Sequence, residues 1–270
     1  MRTLVHLSDL HFGRVDAELI EPLLVSVVDA KPDLVVVSGD LTQRARKRQF
    51  EEARAFLDRL PRPQIVVPGN HDVPLYRVWE RFLSPLGKYR RLIEADLEPS
   101  FVDDEIAVVG INTARALTFK DGRINEEQMT TIKRRFDPLG ETVLKVVVTH
   151  HPFDLPDQSG DVDLVGRARE AMEVFSRCGV DLLMSGHFHV SEAGSTAARH
   201  EIAGYSALVV QAGTATSTRG RGEENSFNVL RVRDDEIAVE RMSWREDAKA
   251  FARKATERFV RDGASWIECR

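Results

Sequence analysis

Six histidines and three oxygen-bearing side chains sit in short polar stretches, each just past an apolar run. Asp9 and His11 follow TLVHLS, Asp40 follows DLVVVSG, Asn70 and His71 follow QIVVPG, His150 and His151 follow TVLKVVVT, and His187 and His189 follow DLLMSG. Imidazole and oxygen donors in one set suit borderline divalent ions such as zinc, manganese, iron or cobalt, whereas an all-oxygen set would suit calcium or magnesium. There are enough donors for two ions. Two adjacent ions sharing a carboxylate lower the pKa of a bound water toward neutrality and clamp the attacking and leaving oxygens of a phosphoryl group. The departing alkoxide then needs a proton, best given by a histidine close to the ions but not bound to them. His71, directly after Asn70, is the candidate.

Side chains so scattered in sequence meet only if regular elements deliver them to one place. The apolar runs are short and rich in valine, and between them AELIEPLLVSVVDA and KRQFEEARAFLDRL carry apolar residues at helical spacing. This strand, helix, strand rhythm predicts a layered α/β domain with the polar residues at the carboxyl ends of its strands. FVDDEIAVVGINT reads as two strands about an Asp103–Asp104 turn, and HEIAGYSALVVQAGT and SFNVLRVRDDEIAVERM read as further β structure with a turn at Asp234–Asp235. Two sheets with helices outside fit this pattern better than one doubly wound sheet. Gly39, Gly69 and Gly186 stand where the backbone must turn sharply before a donor side chain.

From about Trp244 the sequence becomes charge-rich and alanine-containing. The expected organisation is a domain over residues 1–243 and a helical appendage over 244–270, whose Trp244, Phe251, Phe259 and Trp266 pack on the domain or on a partner subunit. Those rings forming an apolar lid for a lipid-linked substrate is the alternative. Across the whole chain a net charge of -5 argues against broad attraction to nucleic acid or a membrane surface. Cys178 and Cys269 are too few for a disulfide framework, which suits a reducing compartment. The opening MRTLVHLSDLH breaks into polar residues too early for a secretory signal, and no apolar run approaches the roughly 20 residues of a spanning helix. A cytoplasmic protein is the expectation.

The blocks Asp9-Leu10-His11, Gly39-Asp40, Gly69-Asn70-His71-Asp72, Thr149-His150-His151-Pro152 and Gly186-His187-Phe188-His189 occur in the order found in the calcineurin-like metallophosphoesterases, and the chain resembles that family from Asp9 to His189. The resemblance implies an α/β fold, a four-layer α/β/β/α sandwich of two mixed sheets, with a dinuclear centre. It implies one divalent ion on Asp9, His11, Asp40 and His189 and a second on Asp40, Asn70, His150 and His187, with Asp40 as the bridge. His71 would then act as general acid or stabilise the phosphoryl oxygens, Asp72 would orient it, and a metal-bridging hydroxide would attack phosphorus in line. The finer pattern is similar to the bacterial class III phosphodiesterase-like branch, with its cyclic-nucleotide and glycerophosphodiester hydrolases. Members of that branch are often dimers. The GDxxDRG of the protein serine/threonine phosphatases is not matched by GDLTQRA.

Some residues carry a bland reading beside a functional one. His6 and His200 read as structural or surface residues, His151 as a support for His150, and Asp72 equally as a cap for a helix over VPLYRVWERF. Arg44, Arg46, Lys47 and Arg48, and then Arg77, Arg81, Lys88, Arg90 and Arg91, read as a solvated helix face or as a grip on a second phosphate or carboxylate; Asn112 and Arg115 follow another strand and could reach the same place. The expected activity is metal-dependent hydrolysis of a small-molecule phosphodiester. Its rivals are a pyrophosphatase of a nucleotide-linked lipid intermediate, a nuclease of the same superfamily, and a non-catalytic scaffold. Nucleic acid is disfavoured as a partner by the acidic balance, and the scaffold by the complete donor set with His71 beside it.

Overall fold

Apolar, mostly branched residues fill Arg2–Leu7 (β1), Leu34–Ser38 (β2) and Gln64–Val67 (β3), which pair in parallel, Val5 beside Val35 and Val36 beside Ile65. The computed structural model describes residues 1–118, 121–155, 164–196, 202, 204–218 and 223–269. Successive side chains of a strand point to opposite faces. Val35 and Val37 therefore meet helices α1 (Ala17–Asp29) and α2 (Lys47–Leu57), while Leu34 and Val36 meet a second sheet. Burial on both faces is why the middle of these strands reads as apolar on successive residues, as in Leu4-Val5 and Leu34-Val35-Val36-Val37.

The second sheet contains β4 (Ser100–Val102), β5 (Ile106–Gly110), β6 (Leu144–Val148), β7 (Leu182–Ser185), β8 (Glu192–Ser195) and β9 (Leu208–Gln211) in the order β4-β5-β6-β7-β9-β8. Its strands β5, β6, β7 and β9 run parallel. Leu144, Val146 and Val148 face the first sheet, and Val147 faces helices α5 (Glu126–Phe136) and α6 (Ala168–Cys178). Three cores result, helix on sheet, sheet on sheet, and sheet on helix, the four layers expected. Each fully buried valine or leucine contributes about 1.5–3 kcal/mol. Two short helices, α3 (Val78–Leu83) and α4 (Gly87–Leu92), follow β3, and Asp72 does not cap α3, whose N-terminus has no side-chain cap.

The C-terminal segment corrects the helical expectation. β10 (Ser226–Val232), β11 (Glu236–Arg245), β12 (Ala250–Asp262) and β13 (Ser265–Glu268) extend the first sheet to seven strands in the order β13-β12-β11-β10-β1-β2-β3. The charges that suggested a helix alternate with β-compatible residues along β12, as in KATERFV, so one face is solvated and the other packs. Phe259 and Trp266 enter the core between the sheets, and Phe251 and Trp244 pack under α1, so none of the four rings is a lid. Among the described residues no helix is long and apolar enough to cross a membrane.

Candidate metal centre

The parallel strands of both sheets deliver their carboxyl ends to one edge, and the turns there have an uncommon backbone. Asp9, His11, Asp40, His187 and His189 have φ of 53°, 51°, 52°, 77° and 63°, the left-handed region that L-residues other than glycine enter at a cost of about 1–2 kcal/mol each. Their loops are tied together: Asp9 and His11 donate their amides to the carbonyls of Gly39 and Asp40, and Thr214 and Thr216 donate hydroxyls to the carbonyls of Asp9 and Leu10. Of the three glycines expected to turn the chain, only Gly39 has positive φ. Gly69 and Gly186 are needed for space. A Cβ on Gly69 would lie 2.8 Å from Asp40 Cγ and closer still to its Oδ1, and one on Gly186 would lie 2.6 Å from Asp9 Oδ2.

The structure brings together all seven of the residues expected to hold ions. His189 Nε2 and His11 Nε2 lie 3.2 and 3.5 Å from Asp9 Oδ1 and 3.3 Å from each other. Asp40 turns one oxygen to each side, Oδ2 to His11 Nε2 at 3.7 Å and Oδ1 to His150 Nε2 at 3.4 Å. His150 Nε2 lies in turn 3.1 Å from Asn70 Oδ1 and 3.3 Å from His187 Nδ1. Two donors each bonded to one ion at about 2.1 Å stand about 3.0 Å apart at a right angle and about 3.4 Å apart at the tetrahedral angle. The observed spacings match. Asp9 Oδ1 is buried without a hydrogen-bond donor while Oδ2 accepts from Ser8 Oγ and the His187 amide, so the carboxylate is anchored by one oxygen and presents the other. His150 is held the same way, Nδ1 donating to the Ser38 carbonyl at 2.8 Å and Nε2 turned to the cluster. The donors fit one or two divalent ions.

Electrostatics agree. Burial opposes ionisation of Asp9 and Asp40, yet His11 and His189 beside the first and His150 beside the second hold both carboxyls well below the usual carboxylate range. Burial also works against a charged His150, but Asp40 overrides it and raises the imidazole to about 9. A proton thus serves as counter-charge to Asp40, and an ion would displace it. His187 is lowered to about 4 by burial and by the charge on His150.

Asn70, His71 and His187 are the half-buried members, so they mark the side open to a substrate; His11, Asp40 and His150 are closed off. His71 Nδ1 donates to the Gln43 carbonyl at 2.9 Å, and its ring stands edge-on to His11 at 4.9 Å between centroids. Asp72 is wholly buried and accepts from the amides of Leu41, Thr42 and Gly69 and from Thr42 Oγ1. It braces the 41–43 loop that carries the Gln43 carbonyl, so its link to His71 runs through backbone. Burial and the charge on Asp40 raise Asp72 to about 6, against the pull of those amides.

The remaining residues separate. His151 belongs with His150 and His187 to one compact group and its Nδ1 lies 2.8 Å from Thr113 Oγ1, while His6 is buried against Ser38. His200 lies outside the described residues. Asn112 and Arg115 bond to Ala114, Gln128 and their own loop rather than to the cluster. Arg48 pairs with Glu52 on the surface, and Arg81 is buried, donating to the carbonyls of Pro74, Ala116 and Thr118. Sequence reasoning missed Gln43, Thr113 and Ser38. They act through a backbone carbonyl or a single hydroxyl, and neither leaves a signal in residue type or spacing.

Comparisons with known proteins give the chain a family and a fold in common with solved structures. The profile of the Calcineurin-like phosphoesterase family matches residues 2–191. A glycerophosphodiester phosphodiesterase of Enterobacter lignolyticus is 25% identical over 169 residues, 58% of this chain and 60% of that protein. A probable cyclic nucleotide phosphodiesterase of Synechococcus is 28% identical over 162 residues, 58% of each chain. The chain thus spans about 60% of the length of these relatives. Among solved structures, a dimetal phosphatase from Danio rerio superposes with a TM-score of 0.66 at 12% identity, covering 90% of this chain and 96% of that one. A purple acid phosphatase from yellow lupin gives 0.74 at 12% identity, covering 97% and 54%, and shares the fold. The chain belongs to the calcineurin-like phosphoesterase family.

Proposed function

We propose that the chain is a metal-dependent phosphoric diester hydrolase acting on a small phosphodiester. The observation that carries this reading is Asp40, whose two oxygens face separate histidine groups while His71 stands at the open rim. Asp9, His11, Asp40 and His189 would hold one divalent ion, and Asp40, Asn70, His150 and His187 a second. Ions held there supply polarisation of a phosphoryl oxygen and a nucleophilic water near neutral pH. The Gln43 carbonyl fixes a proton on His71 Nδ1, which leaves Nε2 as the nitrogen that gives its proton to the leaving oxygen. Asp72 is a positioning residue, keeping Gln43 in place. Preference for diesters is supported by the named activities of the relatives, which cleave or are thought to cleave diesters.

The test is hydrolysis of bis(p-nitrophenyl) phosphate against p-nitrophenyl phosphate with manganese, iron, zinc and cobalt in turn, on protein of measured metal content. A diester rate at least tenfold the monoester rate is expected, and a diester rate no higher than the monoester rate overturns the reading. His71→Ala lowers turnover of an alkyl diester about 10²–10³-fold and that of the p-nitrophenyl diester much less, because p-nitrophenolate leaves without a proton. Equal losses on both substrates would remove His71 as the acid.

A further inference from the structure

Between the 44–47 turn and the 74–77 segment lies a pocket of about 430 Å³ whose wall carries Arg44, Arg46, Lys47, Arg77 and Lys88 with the ring of Tyr76. Five cations on one concavity repel one another, and nearby carboxylates answer only some of them. Glu51 pairs with Lys47, and Glu80 pairs with both Arg77 and Lys88. Arg44 and Arg46 have no carboxylate partner among the described residues. Arg44 is half-buried, packed over the Tyr76 ring at 6.0 Å, and its Nη1 reaches to 3.4 Å from His71 Nδ1. One guanidinium therefore touches the proposed acid on one side and the cationic pocket on the other.

We infer that this pocket binds a second phosphate of the substrate, on the leaving-group side of the scissile bond. The inference rests on the diester reading for its orientation, since His71 protonates the leaving oxygen and Arg44, on the pocket wall, reaches His71. A guanidinium fork donates two parallel hydrogen bonds to a pair of phosphate oxygens, and the partly compensated wall supplies positive charge where a second phosphate needs it. Arg44 contacts the group nearest the reacting atoms, while Arg46 and Lys47, exposed on the outer wall, set the charge of the mouth. The second phosphate comes either directly linked, as in a diphosphate diester, or on a carbon spacer, as in a terminally phosphorylated dinucleotide.

Two substrate pairs separate these sources: UDP-glucose against uridine 5′-methyl phosphate, and UpU with a terminal phosphate against UpU without one. In each pair kcat/KM is measured for the metal-loaded wild type and for the Arg46→Gln/Lys47→Gln variant, whose changes lie on exposed positions. The wild type is expected to favour the doubly charged member of one pair about tenfold or more, and the variant to bring that ratio below about threefold. Calorimetric titration of the metal-free protein with inorganic pyrophosphate reads the pocket without catalysis, with binding weakened at least fivefold in the variant. If no diester is hydrolysed, the diester reading fails and the pyrophosphate titration alone decides the pocket. A ratio near one in both pairs, a ratio the variant leaves intact, or pyrophosphate affinity equal in the two proteins overturns the inference.

Discussion

The two ends of β2 share one backbone conformation and differ in everything else. Lys31, just before the strand, has φ 49° and an exposed side chain; Asp40, just after it, has φ 52° and a carboxylate that is 1% exposed. At Lys31 the left-handed residue closes helix α1, whose C-cap is Ala30, a place where glycine serves best. Nothing there requires a side chain. At Asp40 glycine would also relieve the backbone, but it would remove the group that faces His11 and His150 and accepts the His71 amide at 2.8 Å. A strained, buried, charged residue marks function, whereas the same strain at an exposed residue marks only a turn that sequence has not optimised.

Asp40→Gly breaks that contrast most severely. The variant keeps the backbone conformation and should lose at least 10³-fold in kcat/KM, about 4 kcal/mol of transition-state stabilisation. Its metal content, measured by elemental analysis after gel filtration, should fall below that of wild type by at least one ion per chain. A variant that kept both metal content and rate would show that the Asp40 carboxylate is not shared between donor groups.

Much of this site was legible in the sequence because its chemistry needs particular residue types at strand ends, and an apolar run followed by Gly-Asp or Gly-Asn-His-Asp announces both strand and turn. The parallel strands are equally readable, being buried on both faces. The C-terminal segment was not: in β12 the alternation of Arg258, Phe259 and Val260 looks as much like a solvated helix as a one-sided strand, and only pairing with β11 over Glu236–Arg245 decides it. That pairing is long-range and leaves no local trace. Trp266→Ala tests the outcome. The ring is 1% exposed in the core between the sheets, with Arg261 stacked over it at 4.7 Å, and its removal should cost about 3–5 kcal/mol of stability in urea unfolding. Metal content of the folded fraction should not change. A loss under about 1 kcal/mol would mean that the C-terminal strands are dispensable to the core.

Gly69→Ala lies between the two kinds of region, since it changes packing and chemistry together. Its φ of -105° is open to alanine, so backbone strain is not at issue. The added Cβ presses on Asp40, both carboxylate and backbone amide, and overpacking of this sort costs about 1–3 kcal/mol. Because the displaced carboxylate faces the donors, affinity for manganese, measured by calorimetry, should weaken as well. Stability lost with affinity intact would place the clash on some other group.

Lys31→Gly is the mildest of these changes and the one with opposite sign. Glycine removes about 1–2 kcal/mol of left-handed strain and returns about 0.4–1 kcal/mol through the greater freedom of the unfolded chain. The net gain is about 0–1.6 kcal/mol, a rise in Tm of up to about 6 °C for a chain of this size. Catalysis and metal content stay at wild-type levels, because the substitution sits at the amino end of β2, away from the strand ends that carry the donors. The measurement is differential scanning calorimetry on metal-free and metal-loaded protein, with the same shift expected in both. A fall in Tm would mean that the Lys31 side chain compensates its own backbone, and the exposed end of β2 would then no longer serve as the unloaded counterpart of Asp40.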